Sequence, residues 1–354
     1  MNQTNRSIAL SLLALLALTG AGRASAQDGT AGAPLFADQQ ALHIRIEGPL
    51  STMTSERSNT DYYEGKLAYT DDAGASIVLD IGFRTRGNFR RRKDTCWFPP
   101  VRLNFQKKQV DGTVFDSQDK LKLVTHCHPR NDKYEQYVLK EYLAYRILQL
   151  HTPYALQVRL LRISWVDTDK GGDAIERYGF LIEDEDAMAE RLDASKVDFN
   201  STAHTALNTK QAAIASVFEF LIANTDFSLI KAAPEETCCH NAILLTRGEE
   251  EYFPVPYDFD FSGLVNAPYA EPSPNMRIRS VTTRLYRGNC SVNPEIGSTV
   301  ALFREQQNAV LDLVTMQEGL SDSMRKYALK FLEDFYELLA DPAAAEAKFI
   351  EDCL

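Results

Sequence analysis

The stretch "FPVPYDFDFSG" (253–263) sets Val255 and the aromatics Phe253, Tyr257, Phe259 and Phe261 in a strand-like run, then interrupts it with Asp258 and Asp260 before Gly263. An unpaired buried carboxylate costs several kcal/mol, so this pattern calls for a cation or hydrogen-bond donors close by. The residues just upstream, "NAILLTRGEEEY" (241–252), read as a partner strand and a Gly-Glu turn. A hairpin brings its two ends together, which sets Asn241 beside Asp258. Further upstream, "TKQAAIASVFEFLIAN" (209–224) has helical periodicity, with Thr209 as the expected N-cap. "IANTDFS" (222–228) then places Asn224 and Asp226 at its end, where Asp226 can join the other two. One amide and one carboxylate offer hard oxygens that suit Mg2+ or Mn2+. A second carboxylate suits a base that orients an acceptor hydroxyl, the combination phosphoryl transfer requires.

Outward from this centre the periods alternate. Strand patterns occur at 42–50, 64–87 (a hairpin around Asp-Asp-Ala-Gly), 99–105 and 120–126. "KYEQYVLKEYLAYRILQLH" (133–151) switches to helical spacing, with Tyr137, Val138, Tyr142, Leu143 and Ile147 as its core stripe and Pro153 beyond its end. Two strands follow at 156–167 and 176–186, and helices near 298–317 and 321–340 close the chain. This order predicts an α+β protein.

The first 26 residues read as a signal peptide: Arg6, the apolar run "IALSLLALLAL" (8–18), and "ASA" (24–26) with cleavage after Ala26. A polar segment, 27–40, leads into one domain over 41–354. The expected location is secreted or periplasmic, without stable membrane insertion. A net charge of −11 argues against nucleic acid as a partner. Six cysteines in an exported chain point to disulfides. Cys96 is expected to pair with Cys127, and Cys238 or Cys239 with Cys290.

Several blocks carry a family resemblance: "FRTRGNF" (83–89), "DKLKLVTHC" (119–127) with the helix that follows, "YGFLIEDEDAMAERL" (178–192), "FLIANTDF" (220–227) with "HNAILL" (240–245), and "VPYDFDFSG" (255–263). In this order they resemble the CotH-type secreted kinases, a distant branch of the protein-kinase-like fold. The resemblance implies a two-lobed protein-kinase-like fold, with a β-rich N-lobe over about 41–190 and a mainly helical C-lobe over about 191–354. It implies ATP as co-substrate, Mg2+ or Mn2+ as cofactor, and a hydroxyl of an exported protein as acceptor. Asp226 matches the catalytic-loop Asp, while Asn241 and Asp258 match the metal ligands. Glu183 matches a Glu that pairs a basic phosphate-binding residue. For that basic residue Arg102 stands where Lys is expected, and Lys122 is a second choice. Two other classes remain open: a non-catalytic kinase-fold binding protein of the envelope or matrix, and a metal-dependent hydrolase using the same carboxylates. Plainer roles exist for each motif as well. Asp258 and Asp260 could cap a turn, Asn224 and Asp226 could form an Asx turn, and 90–93 could be a solvated basic run.

Overall fold

Alternation of apolar and polar residues builds the first half of the molecule. In strand β3 (Ser76–Thr85), Leu79, Ile81, Phe83 and Thr85 are buried while their neighbours turn outward. The same period runs through β1 (Leu42–Gly48), β2 (Tyr63–Thr70), β4 (Val101–Phe105) and β5 (Lys120–Val124). Strands β6 (Val158–Asp167) and β7 (Ile175–Ile182) complete the set. Short helices α1 (Pro34–Ala37), α2 (Leu50–Glu56) and α3 (Lys107–Val110) pack around it. The structure is a computed structural model and describes residues 33–233, 236–248, 250–273 and 276–354. The signal peptide and residues 27–32 of the polar segment lie outside the described residues, as does Glu249 of the expected turn.

The seven strands form a closed barrel in the order β1-β2-β3-β4-β5-β7-β6. Six of the contacts are antiparallel; closure comes from the parallel pairing of β1 with β6, Leu42 against Leu161 through Gly48 against Asp167. This closed mixed barrel, with helices in the C-terminal part, overturns the expected two-lobed protein-kinase-like fold. Strands β1 to β5 are visible in their own alternation, and β6 and β7 as runs with four consecutive buried residues each. The long-range parallel seam leaves no local trace, so an open β-rich lobe and a closed barrel read alike. The barrel is filled by its own apolar core, including Phe83, Leu103, Phe115, Leu121, Ile163 and Leu181.

Helix α4 (Lys133–His151) packs on β7 and β6 and is buried nearly all round, so it carries Lys140 and Glu141 into the interior. Of its expected stripe, Val138, Tyr142, Leu143 and Ile147 are buried and Tyr137 is half-buried. Helix α5 (Glu185–Arg191) follows the barrel, then the two-residue strand β8 (Ser195–Lys196) and helix α6 (Thr209–Leu221). The N-cap of α6 is Asn208, whose side chain accepts from Gln211 N–H; Thr209, expected as the cap, is the first helical residue. Strands β9 (Ala242–Thr246) and β10 (Phe253–Pro256) form a hairpin, with β8 on the far edge. Helices α7 (Asn293–Glu305), α8 (Gln307–Met316) and α9 (Asp322–Ala340) complete the second core around α4 and α6. Among the described residues no helix is long and apolar enough to cross a membrane.

The cysteines pair as Cys96–Cys127, Cys238–Cys239 and Cys290–Cys353. The first pair is the expected one. The expected link from Cys238 or Cys239 to Cys290 is not made, because Cys290 lies beside the chain end: its N–H donates to the Leu354 carbonyl at 3.1 Å.

Candidate active site

The β9–β10 hairpin pairs Pro256 with Ala242, so the next residues outward, Tyr257 and Asn241, meet at its open end. Tyr257 N–H donates to the Asn241 carbonyl at 3.0 Å. Asn241 and Asp258 both adopt the left-handed backbone region, with φ of 52° and 62°. Asn and Asp tolerate that region better than other side-chain-bearing residues, which fits their placement at this turn. Phe259 is fully buried between Tyr145 (ring centroids 4.6 Å apart) and Phe218 (5.2 Å). Gly263 is required by close approach. A Cβ there would lie 2.6 Å from the Val281 carbonyl oxygen and 2.9 Å from the Ala223 Cβ.

Helix α6 delivers Asp226. The Asp226 N–H donates to Asn224 Oδ1 at 3.0 Å, an Asx turn that aims its carboxylate outward. Arg287 donates to the flanking carbonyls of Thr225 (2.8 Å) and Phe227 (2.6 Å). The carboxylate meets His240 Nε2 at 2.8 Å and accepts from Asn241 Nδ2 at 3.1 Å. That hydrogen bond to Asp226 raises the His240 pKa, and the Asp258 charge adds to the effect. The hairpin and the end of α6 thus bring Asp226, Asn241 and Asp258 to one place. Asp226 also faces a cleft of about 910 Å3, with Phe89, His128, Phe261 and Tyr269 among its walls.

The cation demanded by Asp258 and Asp260 is Arg90. Its guanidinium reaches Glu141 at 2.9 Å, Asp260 at 3.1 Å and Asp258 at 3.2 Å. Arg90, Glu141 and Asp260 are buried, whereas the Asp258 side chain is 41% exposed. Burial works against the Arg90 charge, but Asp260 and Glu141 outweigh it and raise the pKa well above the ordinary value. Burial likewise pushes the Asp260 and Glu141 carboxyls upward. Arg90 opens the basic run 90–93, which the sequence allowed as a solvated surface; its first residue is instead a buried ion-pair centre.

The outward faces of the barrel supply further cations. Cross-strand pairs Arg84–Arg102 and Arg102–Lys122 put these three residues in one row. Lys122 ion-pairs with Glu185 at the start of α5, and its ammonium lies 5.2 Å from the centre of the Tyr257 ring. Burial alone would raise the Glu185 pKa; Lys122 and Lys196 outweigh it and hold that carboxyl below its usual range. Glu183, expected in that pairing role, is turned away: Arg191 holds it at 2.8 Å and Gln157 N–H donates to it at 2.9 Å. Residues 183 and 185 face different neighbours because the chain passes from β7 into α5 between them.

Arg86, two residues beyond Arg84, was not singled out by sequence. Its side chain is half-buried within the electrostatic reach of Asp258 and Tyr145, and its pKa is lowered by burial. Among the described residues its guanidinium has no hydrogen-bond or ion-pair partner; the Arg102 guanidinium has none either. Two signals pointed to it: Arg86 lies within the "FRTRGNF" block, and it follows the end of β3, two residues after Arg84.

Among the described residues no group of three or more His, Cys, Asp and Glu side chains is placed to hold a metal ion. The Asn241–Asp258 pair is a smaller set. Asn241 turns its amide nitrogen on Asp226, which leaves its Oδ1 without a partner among the described residues, and Asp258 gives Oδ1 to Arg90. Two protein oxygens suit a Mg2+ ion whose remaining ligands are phosphates and water. No protein-family model matches the chain, and no curated protein matches it.

Proposed function

We propose that this site transfers the γ-phosphoryl group of ATP to a hydroxyl of an exported protein, as the resemblance to CotH-type secreted kinases implies. The observation that carries the reading is the unpartnered Arg86 guanidinium beside Asp258. A half-buried guanidinium with no ion pair or hydrogen bond among the described residues is costly, and a nucleotide phosphate would complete it. Lys122 and Arg102 extend the positive row along which a polyphosphate would lie. Asn241 Oδ1 and Asp258 Oδ2 would hold Mg2+ or Mn2+, which neutralises phosphate charge when bound. Asp226, fixed by Asn224 and Asn241 at the cleft, orients the acceptor hydroxyl and receives its proton. The hydroxyl oxygen then forms the new O–P bond, the bond to the β-phosphate breaks, and ADP leaves with that electron pair.

A second reading has an observation of its own. Arg90 already neutralises part of the Asp258 charge, as expected of a protein that binds nucleotide without transferring phosphate. Incubation with γ-labelled ATP and Mn2+ separates the two. The first reading expects label on the protein or on an added protein acceptor, reduced about 100-fold or more in Asp226→Asn. Nucleotide binding without label favours the second, and cleavage of simple phosphoesters without ATP points to hydrolysis.

A further inference from the structure

The cleft that Asp226 faces has a wall of three rings. Phe89 and Phe261 meet edge to face with centroids 5.1 Å apart, and Tyr269 lies 5.9 Å from each. All three adjoin the buried ion-pair centre. Phe89 precedes Arg90 in the chain, Phe261 follows Asp260, and the Tyr269 hydroxyl hydrogen-bonds to the Asp260 carboxyl. The trio is thus held by the Arg90–Asp260 contact, and the same guanidinium holds Asp258. The rings stay open to the cleft: Phe89 is 37% exposed, and Phe261 and Tyr269 are half-buried among its lining residues.

The chemistry of the trio narrows what can sit on it. The two phenyl rings carry no hydrogen-bonding atom, and the Tyr269 hydroxyl is already engaged by Asp260. A sugar placed there would lose water from its hydroxyls with nothing to replace it. Charge excludes a further class. Arg92 is paired with Asp94 at 2.7 Å, so Glu271 and Asp226 tip the walls negative. A nucleic acid or an acidic peptide would be repelled. The fitting group is a large apolar side chain, whose burial is favourable in proportion to the area it hides and gains further if it is aromatic. His128 and Tyr134, half-buried on the same cleft with ring centroids 4.2 Å apart, carry polar atoms that suit the main chain of a peptide.

We propose that Phe89, Phe261 and Tyr269 seat a large apolar side chain of the acceptor protein, close in sequence to the hydroxyl presented to Asp226, and so set acceptor specificity. The inference rests on the phosphoryl-transfer reading of the same site. An extended segment advances about 3.4 Å per residue, so the apolar residue is sought within about four positions of the hydroxyl. The probes are fluorescein-labelled serine peptides with Phe, Leu, Ala, Lys or Glu at each of those positions. Anisotropy with the full exported chain, without nucleotide, reads binding; γ-labelled ATP with Mn2+ then reads transfer. At one position Phe or Leu should tighten binding at least tenfold over Ala, Lys and Glu, and lower the KM of transfer by a similar factor with little change in kcat. Phe89→Ala should erase that preference and keep the thermal shift that ATP induces in the parent. Should the variant not fold, a peptide with benzoylphenylalanine at the preferred position is photo-crosslinked to the parent protein, where the bond should form within 89–95 or 261–269. No position favouring Phe or Leu, a preference that persists in folded Phe89→Ala, or cross-links elsewhere overturns the proposal. Label transferred without any apolar preference refutes the seat alone; the preference in binding without label on any peptide supports the seat and refutes phosphoryl transfer.

Discussion

Arg90 and Arg86 lie close together and do opposite things. Arg90 is enclosed by Glu141, Asp260 and Asp258, and removing it strands buried carboxylates. Arg90→Ala should cost about 3–5 kcal/mol in urea unfolding. Arg90→Lys should recover only part of this, because an ammonium cannot span three carboxylates as a guanidinium does. Arg86 has no such partners. Arg86→Gln should leave the unfolding midpoint unchanged or raised while weakening ATP binding tenfold or more, measured by the thermal shift that ATP induces. A variant as destabilised as Arg90→Ala would make Arg86 a structural residue and remove the observation on which phosphoryl transfer rests. Asp258→Asn retains a side chain at home in the left-handed region. It should fold normally and lose the added stabilisation that Mn2+ gives with ATP.

At the scale of elements, local chemistry was legible and pairing was not. Helix α4 spans the residues its periodicity marked, because Pro153 and the apolar spacing both act within the element. The hairpin that joins Asn241 to Asp258 was legible for the same reason. The cap of α6 shifted by one residue: Asn208 and Thr209 can both cap, and Asn, the stronger capping residue, takes the position. Asn208→Ala should therefore cost about 1 kcal/mol, and Thr209→Ala much less; equal losses would return the cap to Thr209. Arg90 looked like one of a solvated run because its partners lie on α4 and beyond β10, far away in sequence. Glu183 pairs with Arg191 and not with Lys122 for a similar reason. Which of two nearby carboxylates meets Lys122 depends on how α5 departs from the barrel.

For the molecule as a whole, two buried histidines set a limit in acid. Burial lowers His126 to about 3 and His151 to about 4, both from an ordinary value of 6.5. Below pH 6.5 the unfolded chain takes up protons that the folded chain refuses, so stability falls as pH drops toward 4. Each histidine costs about 1.4 kcal/mol per pH unit across its window. His151, stacked on Phe303 at 3.9 Å, can be replaced by Phe, and the loss of stability between pH 6.5 and 4.5 should then be smaller. An unchanged loss would place the acid sensitivity elsewhere. The seam that closes the barrel also governs the order of assembly. Leu42 has its second neighbour in Leu161, so a chain growing from its N-terminus must hold one edge of β1 open until β6 has been made. An open edge is a template for pairing with another chain. A nascent or truncated chain that stops before Val158 therefore carries an unsatisfied strand that the finished protein conceals, and it should accumulate as aggregate where the complete chain stays monodisperse.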